Sequence, residues 1–161
     1  MAFISRRKFM IGGAVSVIGA GALYKAIAPK QFEAEFIFKE NGLAIRGTDP
    51  VAYFLEHKFI AGSDTYTSDW KGAKWRFASA KNRDLFTAAP DSYAPQYGGF
   101  CAWAVAAKGK LYSTQPKNWS IVGGKLYLNY NDNIQTRWEK DIDGFIRKGD
   151  QRWPEVLAKM A

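Results

Sequence analysis

The chain's only cysteine and its only histidine are the residues best suited to soft-metal or nucleophilic chemistry. Cys101 lies in Gln96-Tyr97-Gly98-Gly99-Phe100-Cys101-Ala102-Trp103-Ala104, crowded by glycine and aromatic residues. A thiol there has three uses. Buried, it is a small apolar filler with a raised pKa and little reactivity. As a metal ligand it needs two or three partners, for which the chain offers His57, carboxylates such as Asp49, and Met160. As a nucleophile it needs a base within hydrogen-bond reach, and His57 is the only imidazole. Sequence separation neither supports nor excludes such a dyad, because a dyad is defined by geometry.

Around the thiol, Tyr93 and Tyr97 carry hydroxyls, Gly98 and Gly99 permit positive φ and close approach, and Trp103 adds a ring. These five are the expected lining of a small ligand pocket beside Cys101. If exposed amides of the glycine bend faced the sulfur, its pKa would fall; if the bend is used in packing, the thiol is inert. His57 stands between Glu56 and Lys58, which reads as an exposed turn. No Ser-His-Asp arrangement is evident, and two adjacent glycines are too short a signal for a nucleotide cradle.

The elements that must position these residues follow from periodicity. Phe32, Ala34, Phe36 and Phe38 alternate as in a half-buried strand, and Leu43 to Gly47 reads as a second short one. Asp49-Pro50 suits the start of one or two helical turns. Thr65 to Ala78 reads as a hairpin turning at Lys71-Gly72, after which Ser79 caps a helix that Pro90 ends. Trp119 to Tyr130 is the clearest hairpin, with Gly123-Gly124 at its turn. Ile134, Trp138, Ile142, Phe145 and Ile146 share one face of a long helix, which Gly149 is expected to stop; Asp150 and Trp153-Pro154 then open a last short one. Strands mixed with helices, without β-α-β alternation, predict a compact α+β single domain. Its sheet is mainly antiparallel, with packed helices and a C-terminal amphipathic helix.

Residues 1–30 read as a leader and 31–161 as the domain. Arg6 and Arg7, in Ser5-Arg6-Arg7-Lys8-Phe9, precede a weakly apolar run and resemble a twin-arginine export signal. That implies export of a folded protein by the twin-arginine machinery to the periplasm. Pro29 disfavours cleavage after Ala28, and an uncleaved leader would anchor the protein to the inner membrane. The +8 charge misleads, since Arg6, Arg7, Lys8, Lys25 and Lys30 all lie in the leader. No Lys/Arg run survives in the body, so nucleic acid is not an expected partner. The six tryptophans are expected mainly to fill the core, the alternative being an aromatic ligand face.

Asp49-Pro50-Val51-Ala52-Tyr53-Phe54, the stretch from Trp70 to Ala102, and Gly124 to Asn131 together resemble the YHS domain family, over residues 40 to 156. The resemblance implies an α+β module associated with heavy-metal handling. In metal-handling members cysteines occur after the Asp-Pro-Val, at the end of the strand after the glycine turn, and four residues into the helix. Here Ala52, Ala78 and Asn82 stand in those places, so the thiolate cluster does not carry over. The expected function is therefore an exported, non-catalytic binding module. Its ligand would be a metal ion or small molecule held near Cys101, with Cys101 and His57 as metal ligands and copper as the cofactor, since few ligands around a thiolate suit Cu(I). The alternatives are a thiol-dependent enzyme using Cys101 with His57, or an accessory protein docking a partner through an aromatic face.

Overall fold

The computed structural model describes residues 36–159. The expected leader, with Arg6 and Arg7, lies outside them, as do Phe32, Ala34 and Met160. Strands β1 (Lys39–Glu40) and β2 (Leu43–Ala44) form a small antiparallel hairpin. β2 runs parallel to β4 (Ala73–Phe77), which pairs antiparallel with β3 (Ser63–Trp70), giving the order β1-β2-β4-β3. A second, two-stranded sheet joins β5 (Gln115–Val122) to β6 (Lys125–Asn129). The helices are α1 (Ala52–Leu55), α2 (Ala80–Ala88), α3 (Pro90–Tyr93), α4 (Ala102–Lys108), α5 (Asp132–Glu139) and α6 (Ile142–Ala158). The architecture is the α+β one anticipated, with three of its four strand pairings antiparallel. Among the described residues no helix is long and apolar enough to cross a membrane.

Both expected hairpins form where their turn residues demand. Lys71-Gly72 and Gly123-Gly124 all take positive φ, matching the twist of the strands they join. Ser79 caps α2 by accepting a hydrogen bond from the Asn82 N–H (3.1 Å).

Three expectations need correction. Phe36, Ile37 and Phe38 are all buried instead of alternating, and pairing starts only at Lys39. The Phe38 N–H donates to the Gly98 carbonyl (2.8 Å), so this segment is tied to a loop and not to a sheet. The second strand stops at Ala44, because Ile45, Arg46 and Gly47 all adopt positive φ (40°, 59° and 73°) and turn the chain away. The C-terminal helix breaks at Asp141, whose carboxylate caps α6 at the Gly144 N–H (3.0 Å). It then runs through Gly149 and Pro154 to Ala158. Gly149 is the point where the Tyr97 ring presses on the helix, leaving no room for a Cβ. Asp150 accepts the Tyr97 hydroxyl (2.9 Å) and caps nothing.

Two apolar clusters result. One gathers Tyr53, Trp75, Phe77, Phe86, Leu126 and Leu128; the other gathers Tyr97, Ala102, Val105, Tyr127 and Trp138. Strand β6 serves both, since its period of two sends Leu126 and Leu128 to one side and Tyr127 to the other. Asn129 follows on the Tyr127 side. That alternation places the Asn129 side chain against Cys101.

Candidate functional site

The chain reaches Cys101 through Tyr97, Gly98 and Gly99, all at positive φ (53°, 62° and 82°). This turn packs against the equally left-handed Ile45–Gly47, and a Cβ on Gly99 would fall 2.8 Å from Ile45 Cγ2. Thr114 ties the two together: its hydroxyl donates to the Gly99 carbonyl (2.9 Å), and its own carbonyl accepts from Arg46 Nε (2.8 Å). Holding tyrosine and isoleucine at positive φ costs about 1–2 kcal/mol each, which such tight packing must offset.

Cys101 therefore arrives as the residue preceding α4, with its N–H donating to the Tyr112 carbonyl (3.0 Å). Its Sγ lies 3.6 Å from Oδ1 of Asn129, which is fully buried. The same Oδ1 accepts from the Trp103 N–H (3.1 Å), and Asn129 Nδ2 donates to Gln135 Oε1 (2.9 Å). Gln135 donates onward to Ser120 Oγ (3.1 Å) and Glu139 Oε1 (2.9 Å). Burial pushes the thiol pKa up; the backbone amides of Ala104, Tyr130 and Trp103 and the Lys108 ammonium only partly offset it. The group is a neutral thiol at pH 7, donating to an amide oxygen.

Cys101 belongs to the wall of a cavity of about 360 Å³, shared with Trp103, Lys108, Tyr112, Tyr130 and Arg137. The Lys108 ammonium lies 5.6 Å from the ring centroids of both Trp103 and Tyr112, and the Arg137 guanidinium 5.7 Å from Trp103. Tyr112 and Tyr130 meet edge to face at 6.4 Å and are 42% and 44% exposed. No aspartate or glutamate lines the cavity. Among the described residues the ion pairs all lie elsewhere, so neither Lys108 nor Arg137 has a carboxylate within 4 Å.

Of the expected site residues, only Cys101 and Trp103 line this cavity. Tyr93 packs edge-on against Phe54 (5.5 Å). Tyr97 and Gly98 face a different cavity of about 340 Å³, together with Trp70 and Trp153. Gly99 is buried in packing. The left-handed turn thus directs Tyr97 and Gly98 to one cavity and carries the chain on to Cys101 and Trp103 at the other. His57 is exposed in a turn after α1, at φ 52°, and is not in the cavity wall. Among the described residues no group of three or more His, Cys, Asp or Glu could hold a metal ion.

Lys108, Tyr112, Asn129, Tyr130 and Arg137 were not foreseen as site residues. The one hint was a tyrosine set in the polar run Asn129-Tyr130-Asn131-Asp132-Asn133. No family model, curated protein or solved structure matches the chain.

A second convergence lies away from the cavity. Ala52, Ala78 and Asn82, the three positions where the YHS resemblance puts cysteines in metal-handling members, meet around the buried Asp49 carboxylate. Four N–H donors fill it: Val51 N (2.8 Å), Ala52 N (3.3 Å), Ala78 N (2.8 Å) and Asn82 Nδ2 (2.7 Å). Every acceptor direction is in use, which makes this a structural knot in this chain.

At 1% exposure, Cys101 should resist a bulky aromatic disulfide reagent in the folded protein and react at once in denaturant. The folded thiol holds its proton more tightly than the unfolded one. Its contribution to stability is therefore complete below about pH 8.5 and is lost as pH rises through the raised folded value. Rapid labelling of native protein at neutral pH would contradict both the burial and the raised pKa.

Proposed function

We propose that the protein is a non-catalytic binding module whose ligand is a small anion held in the cavity beside Cys101. The observation that carries this reading is the pair Lys108 and Arg137, two cations at a cavity without an acidic residue. A cavity of this volume lies at the low end of those that hold small molecules. Copper finds weaker support: burial disfavours the thiolate, the sulfur's side-chain hydrogen-bond partner is an amide oxygen, and the charges of Lys108 and Arg137 repel a cation. A thiol-dependent enzyme also finds weaker support, since His57 stands outside the cavity wall. The twin-arginine-type motif Arg6-Arg7 supports an exported setting, and the meeting of Ala52, Ala78 and Asn82 supports the YHS resemblance.

Calorimetric titration of the full chain with acetate, benzoate and inorganic phosphate, beside acetamide and benzamide, tests the reading. At least one anion should bind saturably and more tightly than its neutral counterpart. The double variant Lys108→Glu, Arg137→Glu should weaken that binding by about 100-fold, roughly tenfold per charge contact. Both side chains are exposed, so the variant should fold. Equal binding of acid and amide, or an unaltered variant, would remove the anion from the proposal.

A further inference from the structure

The cavity's aromatic content says more than its charge. Leu55, Phe59, Tyr112 and Tyr130 are the large hydrophobic side chains left exposed among the described residues, and the two tyrosines both stand at this cavity. Together with Trp103 they offer three rings around a space that has room for one or two more. The cations are placed against those rings: Lys108 near Trp103 and Tyr112, Arg137 near Trp103. A bare inorganic anion would meet the two charges and leave both tyrosines in water. A saturated acid would cover the tyrosines without ring-on-ring contact. A flat acid satisfies every part of the wall, stacking on the rings while its negative group meets the ammonium or guanidinium.

We infer that the ligand of this cavity is an aromatic carboxylate, a one- or two-ring acid seated among Trp103, Tyr112 and Tyr130 with its charge toward Lys108 and Arg137. The inference rests on the anion reading above and narrows it. Cys101 belongs to the wall as a buried residue, 1% exposed, and no bond is made or broken at its sulfur. Asn131 and Asn133, also in the lining, offer amides to polar ring substituents.

The test uses 2-naphthoate, its fully saturated decahydro counterpart, 2-naphthamide and inorganic phosphate, each titrated into the full chain and followed by calorimetry. The naphthoate should bind about tenfold more tightly than either the saturated acid or the amide. Trp103→Leu should abolish its advantage over the saturated acid. Tyr112→Leu, at an exposed ring that leaves the core untouched, should reduce the same advantage severalfold. Cys101→Ala should change the affinity by less than about threefold, as expected of a wall residue. Equal binding of naphthoate and its saturated counterpart overturns the aromatic inference and leaves the anion reading standing. So does binding of phosphate without naphthoate. Equal binding of naphthoate and naphthamide, or no saturable binding of any of the anions, overturns both.

Discussion

Asp49→Ala is expected to destabilise the protein by about 4 kcal/mol, the largest loss from any single truncation of a polar side chain here. The carboxylate is fully buried and accepts from Val51 N, Ala52 N, Ala78 N and Asn82 Nδ2. It thereby joins the start of α1 to the junction between β4 and α2. Alanine would leave four donors without an acceptor, each worth about 1–3 kcal/mol when truly stranded, with some of the loss recovered by relaxation. Domains of this size are stable by about 5–15 kcal/mol, so much of the margin would go. Asp49→Asn should be nearly as harmful, because its NH2 group would face two of the same donors. Asn82→Ala, which removes one donor, should cost only about 1–2 kcal/mol. Urea denaturation followed by far-UV circular dichroism reads all three. A loss below about 1 kcal/mol for the alanine variant would mean that the carboxylate does not hold these segments together.

Gly98→Ala should cost at least about 3 kcal/mol and also open the thiol to reagents. Gly98 is at φ +62°, and a Cβ there would overlap the carbonyl oxygen of Phe36. Its own carbonyl accepts from the Phe38 N–H, so the two segments cannot separate without losing that bond. Gly109 is the control, with nearly the same φ (+60°) and nothing within 4 Å of an added Cβ. Gly109→Ala should show the positive-φ strain alone, about 1 kcal/mol. The difference between the two measures the close approach. Because Cys101 follows Gly98 by three residues, displacement of the turn should speed its labelling in the folded state. If Gly98→Ala matched Gly109→Ala in stability and kept the thiol slow, the packed turn would not be what places Cys101.

Local sequence was enough for the hairpins and for α2. Lys71-Gly72 and Gly123-Gly124 require positive φ whatever surrounds them, and the Ser79 cap bonds three residues ahead, so neighbouring residues decide these features. The C-terminal helix was legible as an apolar face but not in its breaks. Gly149 reads as a stop until the Tyr97 ring is seen to need its missing side chain, and Asp141 is one of several acidic residues that could cap. The strand expected at Phe32 to Phe38 shows a similar limit. Alternation describes a half-buried strand, whereas Phe36, Ile37 and Phe38 are all covered, and the tie to Gly98 comes from a residue sixty positions away.

The candidate site divides along the same line. Composition alone determined that this chain has a single thiol and a single imidazole, so a soft-metal site built within one chain would be short of sulfur and nitrogen donors. Whether the thiol was buried, what it faced and which charges stood near it depended on three separated stretches. Cys101 and the helix it precedes, α4, bring the thiol, Trp103 and Lys108; the loop before β5 brings Tyr112; and the segment after β6, continuing into α5, brings Tyr130 and Arg137. Side-chain type is a property of the sequence, but a pKa and a cavity are properties of what lies within a few ångström. Residues far apart in the chain become neighbours only through the packing of strands and helices. Tertiary structure therefore decided that Cys101 is buried against Asn129, next to a wall that holds rings and two cations.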